Sequence, residues 1–167
     1  MAEHPTDSPD PVMSTVGEAI GLGRSGDRAR ARELLGRAWE QVGADGDAMH
    51  RVGIAHSMAD VQDDLEEELR WDLRALAAAD ELTDHRVAAA GIGTPVAAFY
   101  PSLHLNLGEV YRKLGRFTEA RTHLHSGQQA TRALGWTAEP ADGYQAQVID
   151  ALQRLGERLA GPPATDR

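Results

Sequence analysis

Leu107-Gly108-Glu109-Val110-Tyr111-Arg112-Lys113-Leu114-Gly115-Arg116-Phe117-Thr118-Glu119-Ala120 carries two helical patterns separated by the two-residue joint Gly115-Arg116. That layout is the signature of an αα-hairpin, two antiparallel helices joined by a short loop. Two more joints of this kind, Ser25-Gly26 and Asp63-Asp64, stand upstream. Outward from these joints the pattern predicts helices at about 12–24, 27–42, 47–62, 65–82, 84–91, 102–114, 117–134 and 142–159. No segment alternates apolar and polar residues over strand length, so the expected fold class is all-α.

Composition excludes several function classes. The chain has 167 residues, about one domain's worth, and needs no covalent staple at that size. It has no cysteine, which removes disulfides, thiol chemistry and thiolate metal sites together. The formal charge is −9, from 17 Lys+Arg against 26 Asp+Glu. Nucleic acid and anionic membrane both need a basic face, so neither is an expected partner. No apolar run approaches the ~20 residues of a membrane span. Met1-Ala2-Glu3-His4-Pro5-Thr6-Asp7 lacks the basic-then-apolar layout of a leader, and a cytoplasmic location is expected. Aromatic residues make up only 5% while alanine and leucine abound, which suits closely packed helices better than a sheet. The expected organisation is a disordered tail at 1–11, a single helical domain at 12–160, and a second disordered tail at 161–167 opening on Gly161-Pro162-Pro163.

The quoted stretch resembles the heart of a tetratricopeptide (TPR) repeat, a helix–turn–helix unit of about 34 residues that stacks into a solenoid. Leu107, Gly108, Tyr111, Gly115, Phe117, Ala120, Leu124 and Gly127 stand in register with the family pattern. On that resemblance Gly108 and Ala120 let two helices approach closely, and Tyr111 and Phe117 fill the angle beside them. The usual proline near the end of the repeat is absent, and Arg132 stands there. A weaker repeat begins near Val12, with Gly26 at its turn and Ala31 and Ala38 on its second helix. Another begins near Met49, with Leu65, Leu69, Ala75 and Leu76 on its second helix. The resemblance therefore implies a right-handed α-solenoid of about three repeats, closed by the helix at 142–159 as a cap.

The middle repeat departs from the family pattern in an organised way. Positions normally small hold His56 and Glu68, and a position normally large and apolar holds Asp72. His56 and Glu68 are expected to face each other as a hydrogen-bonded pair, with Asp72 pointing toward His104 of the next repeat. A buried unpaired charge costs several kcal/mol, so this polar cluster needs partners if it lies inside. Three readings stay open: a satisfied polar network, a wet splayed repeat, or a metal or hydrolase-like site at His56, Glu68, Asp72 and His104. Two His and two carboxylates suit zinc in principle, but no HExxH-type spacing occurs.

Three other features carry expectations. Asp60-Val61-Gln62-Asp63-Asp64-Leu65-Glu66-Glu67-Glu68 lacks the register of an EF-hand loop and reads as an acidic helix start, with Asp63 or Asp64 as cap. The segment 83–100 holds about 15 residues more than stacked repeats need; it is a lengthened connector, or a lid or dimer contact carrying Val96, Phe99 and Tyr100. Trp39 and Trp71 are expected to pack between helices, and Trp136 to anchor the turn to the last helix.

TPR proteins commonly bind extended peptides or partner helices on a concave face. By that resemblance the lining is expected to include His50, Ser57, Asp60, Ser102, Leu105, Glu109, Arg112 and Lys113, with Met13, Val16, Ile20, Arg24 and Val61. The expected function is a non-enzymatic scaffold or adaptor for a protein or peptide, without cofactor or metal. A homodimer is a further expectation, because short solenoids expose apolar ends. Two alternatives stand beside it: the His/carboxylate hydrolase site above, and a regulatory partner acting in trans on a signalling or transcription protein.

Overall fold

The structure, a computed structural model, describes residues 10–140 and 143–161. Among these residues the chain forms eight α-helices and one 3-10 turn, with no strand. They are α1 (Pro11–Arg24), α2 (Arg28–Val42), α3 (Ala48–Asp60), α4 (Leu65–Asp80), α5 (Asp84–Ala89), α6 (Tyr100–Lys113), α7 (Phe117–Ala133) and α8 (Tyr144–Ala160), with the 3-10 turn at Val96–Phe99. No described helix is long and apolar enough to cross a membrane. The tails expected at 1–11 and 161–167 lie outside the described residues, apart from residues 10, 11 and 161.

Residues 10 and 11 correct the expected tail boundary. Pro11 occupies the first position of α1, where a missing N–H costs nothing, and Asp10 caps the helix by accepting from the backbone N–H groups of Val12 and Met13. The acidic run resolves as expected at a helix start. Asp64 accepts from Glu67 N at 2.9 Å, and Glu66, Glu67 and Glu68 fill the first turn of α4. Gly115 ends α6 at φ 74°, a left-handed conformation that side chains with a Cβ rarely adopt.

Three pairs of chain neighbours make the most extensive contacts: α1 with α2, α3 with α4, and α6 with α7. Each pair is a helical hairpin. The hairpins meet through α1 and α2 against α3, and through α4 against α6, while α8 lies on both α6 and α7. Small side chains permit the close approach: Ala19, Ala31, Ala55, Ala75, Ala79 and Ala120 are fully buried. Between the first two hairpins, Trp39 of α2 and Trp71 of α4 meet edge to face with ring centres 5.1 Å apart, and Arg74 lies 4.3 Å over Trp71. Trp136 meets Tyr144 at the entry to α8.

Two details differ from the sequence reading. A Cβ on Gly108 would sit 2.6 Å from Leu155 Cδ2 of α8, closer than the 3.5 Å to Ala120 O. A Cβ on Gly127 would likewise meet Leu152 Cδ2 at 2.8 Å. These glycines open the α6–α7 hairpin to the apolar stripe of α8 more than they bring α6 and α7 together. The segment 83–100 does not project as a flap: Val96, Phe99 and Tyr100 pack against the cluster of Ala79, Val87 and Leu103. The Tyr100 hydroxyl donates to Asp80 at 2.8 Å, and Asp84 accepts from Val96 N at 2.8 Å.

Candidate functional site

The middle of the molecule holds the polar cluster, and the hub is a residue the sequence reading passed over. Asn106 of α6 places Nδ2 3.4 Å from Asp72 Oδ1 of α4, 3.4 Å from Asp60 Oδ1 and 3.5 Å from His56 Nδ1, both of α3. Its signal was modest: a lone asparagine within an amphipathic helix pattern, on the helix that meets α4. Asp72 is 1% exposed, and its Oδ2 has no hydrogen-bond partner among the described residues. Burial pushes its carboxyl up to about 8, against the pull of the Asn106 amide, and the nearby charges of Asp60 and Glu68 add to the rise.

The expected pairings are corrected here. Glu68 does not meet His56; its Oε1 accepts from Lys113 Nζ of α6 at 2.8 Å. Asp72 does not meet His104, because Asn106 takes its place. His104 instead faces His123 of α7, Nδ1 to Nδ1 at 2.9 Å, so one ring donates and the other accepts. Tyr111 stacks on His123 with ring centres 5.4 Å apart, and Tyr100 lies beside His104 at 6.1 Å. Burial lowers both imidazoles, and His104 helps push His123 down to about 4, so the pair is neutral at neutral pH. Of the four residues weighed as a metal or hydrolase site, His56 and Asp72 share the Asn106 amide, whereas Glu68 pairs with Lys113 and His104 with His123. Among the described residues no group of three or more His, Asp or Glu side chains is arranged to hold a metal ion. Because His56 and Glu68 have different partners, His56→Ala and Glu68→Ala should add within about 0.5 kcal/mol in a double-mutant denaturation cycle.

The expected lining residues divide into two groups. His50, Leu105, Glu109, Arg112 and Lys113 are committed within the molecule. His50 Nε2 contacts Asp10 Oδ2 at 2.7 Å, tying α3 to the start of α1. Leu105 packs against the cluster of Leu155 and Leu159 from α8. Glu109 accepts from Arg112 Nε at 3.0 Å and from Arg158 of α8, and Lys113 is held by Glu68. So α8 engages the face of α6 that carries Leu105 and Glu109, and the cations Arg112 and Lys113 both meet carboxylates inside the chain. Ser102 donates to Phe99 O at 3.1 Å.

Ser57 is buried, and Asp60 is exposed with Asn106 as its neighbour. They line a groove of about 380 Å³ with Ile20, Gly23, Arg24, His56 and Val61, between α1 and α3. Ile20, 38% exposed, gives it an apolar lip, while Arg24 and Asp60 give it opposite charges. Its His56 and Asp60 are the same side chains that meet Asn106, so the groove opens on the polar cluster. No family model matches this chain, and neither does any curated protein or solved structure.

Proposed function

We propose that this protein is a non-enzymatic binding scaffold of TPR-like, stacked-hairpin design that takes a protein or peptide segment in the groove between α1 and α3. The observation that carries the reading is the contrast between committed and uncommitted side chains on the first helices of the hairpins. The α6 portion is closed by α8 and its own ion pairs, whereas Ile20, Arg24, Ser57 and Asp60 line an open groove with an apolar lip and both signs of charge. A peptide offers the matching features together: an apolar side chain, backbone donors and acceptors, and charged side chains. Three successive hairpins, a left-handed glycine at a turn and small residues at helix contacts support the TPR-like part of the reading.

Site-specific photo-crosslinking in cells tests the proposal. A benzophenone amino acid placed at Ile20 or Arg24, both exposed at the groove, should capture a partner chain. The same probe at Arg37 or Thr122, exposed on α2 and α7, should not. A second copy of this chain is one of the partners that mass analysis of the adduct would identify.

A further inference from the structure

We propose that the groove recognises a single cationic N–H donor, the guanidinium or ammonium of an arginine or lysine side chain on the partner, at Asp60 and Asp72. This inference rests on the reading of the groove as a binding surface and names the chemistry it selects.

Charge pairing is the first support. Around Asp60 the acidic run is compensated inside the chain. Asp63 pairs with Arg28 and Arg32, Glu66 with Arg116, Glu67 with Arg70 and Glu68 with Lys113, and Asp64 caps α4. Asp60 is the exception: exposed at the groove, it meets, among the described residues, only the neutral amide of Asn106. On the same amide, and not itself among the groove-lining residues, Asp72 is buried, and among the described residues its second oxygen is unpartnered.

The second support is a count of protons. The Asn106 Nδ2 carries two hydrogens and lies within 3.5 Å of two carboxylate oxygens, Asp60 Oδ1 and Asp72 Oδ1, and of His56 Nδ1, which accepts in only one of its tautomers. Those two hydrogens go to the two carboxylates, and Asp72 Oδ2 has no hydrogen-bond partner among the described residues. The chain's own cation that acts on Asp72 is Lys113, and it is already paired with Glu68. A guanidinium supplies five donors and a charge, and an ammonium three. Because Asp60 and Asp72 converge on one nitrogen, a single cation entering past Asp60 can serve both after a small displacement of the amide. Arg24, on the opposite wall, has no carboxylate within 4.0 Å among the described residues, so the groove accepts one isolated cation and repels a run of them.

Cation binding at this place displaces a proton. The groups facing Asp72 are His56 and Asp60 from α3, Asn106 and Lys113 from α6, and Glu68 on its own helix. With its carboxyl pushed up to about 8, Asp72 carries the proton at neutral pH and releases it to solvent when a cation arrives. Affinity should therefore rise with pH until that carboxyl is ionised.

The test is a nuclear magnetic resonance titration of the full chain with N-acetyl-arginine amide. The Asn106 side-chain amide and the His56 ring should shift together, with about fiftyfold tighter binding near pH 8 than near pH 6. Neutral N-acetyl-citrulline amide should move neither. Asp60→Asn and Asp72→Asn should each weaken binding at least about tenfold while keeping the dispersed spectrum of a folded chain. Shifts scattered over surface carboxylates with Asn106 unmoved, or undiminished affinity in Asp60→Asn, overturn the proposal. The two readings fail separately. If the arginine probe binds here and no partner crosslinks from the groove, the cation site stands and the scaffold reading falls. If a partner crosslinks from the groove and its capture ignores Asp60→Asn, the scaffold reading stands and the cation site falls.

Discussion

Asp72→Asn is expected to raise the unfolding free energy by on the order of 3–5 kcal/mol near pH 9 and to leave it almost unchanged near pH 4. Below the ordinary carboxyl value of 3.8 both folded and unfolded chains hold the proton, so the buried acid costs no ionisation difference. From there up to about 8 the unfolded chain ionises while the folded chain does not. Each pH unit in that window costs the fold about 1.4 kcal/mol, and above it the cost is constant. Asparagine keeps the shape and removes the charge. Chemical denaturation of both chains from about pH 4 to pH 9 checks this, and an advantage that does not grow with pH refutes the buried-acid account.

Leu107→Ala should cost about 3–4 kcal/mol, the range for a fully buried leucine whose cavity cannot collapse. Leu107 is 0% exposed and packs with Leu69 and Val110, so it joins α4 of the second hairpin to α6 of the third. In a stack of hairpins stability is roughly a sum of unit and neighbour-interface terms. The loss should therefore appear as uncoupling: hydrogen exchange in α6–α8 accelerates more than in α1 and α2. Leu73→Ala, at a side chain 40% exposed, should change stability by no more than about 0.5 kcal/mol. Uniform acceleration along the chain would show that the hairpins do not fold as neighbouring units.

What was legible in the sequence follows from the range of the forces involved. Helix positions are set locally by caps, glycines and apolar spacing, so Gly26, Asp64 and Gly115 mark joints that the structure places where the pattern expects them. The extension of α6 back through Tyr100 was harder to see, because Pro101 reads as a start but is tolerated in a first turn already led in by the 3-10 turn. Side-chain pairing across helices was not legible. His56 and Glu68 look like partners on a hairpin diagram, but Lys113 and Asn106 of the next hairpin reach them first, and a long lysine or a central amide has no signature in a single sequence. For the same reason the role of α8 was underread. Its apolar stripe is plain, but only the packing shows that Leu152 and Leu155 fill the space left by Gly127 and Gly108, and that Arg158 takes Glu109 from the expected lining.

The most direct test of the binding-scaffold reading is the photo-crosslinking comparison between the two sides of the molecule. The account predicts one common adduct from Ile20 and Arg24, and no such adduct from Arg37 or Thr122. Equal labelling from all four positions, or no adduct from the groove, would contradict it.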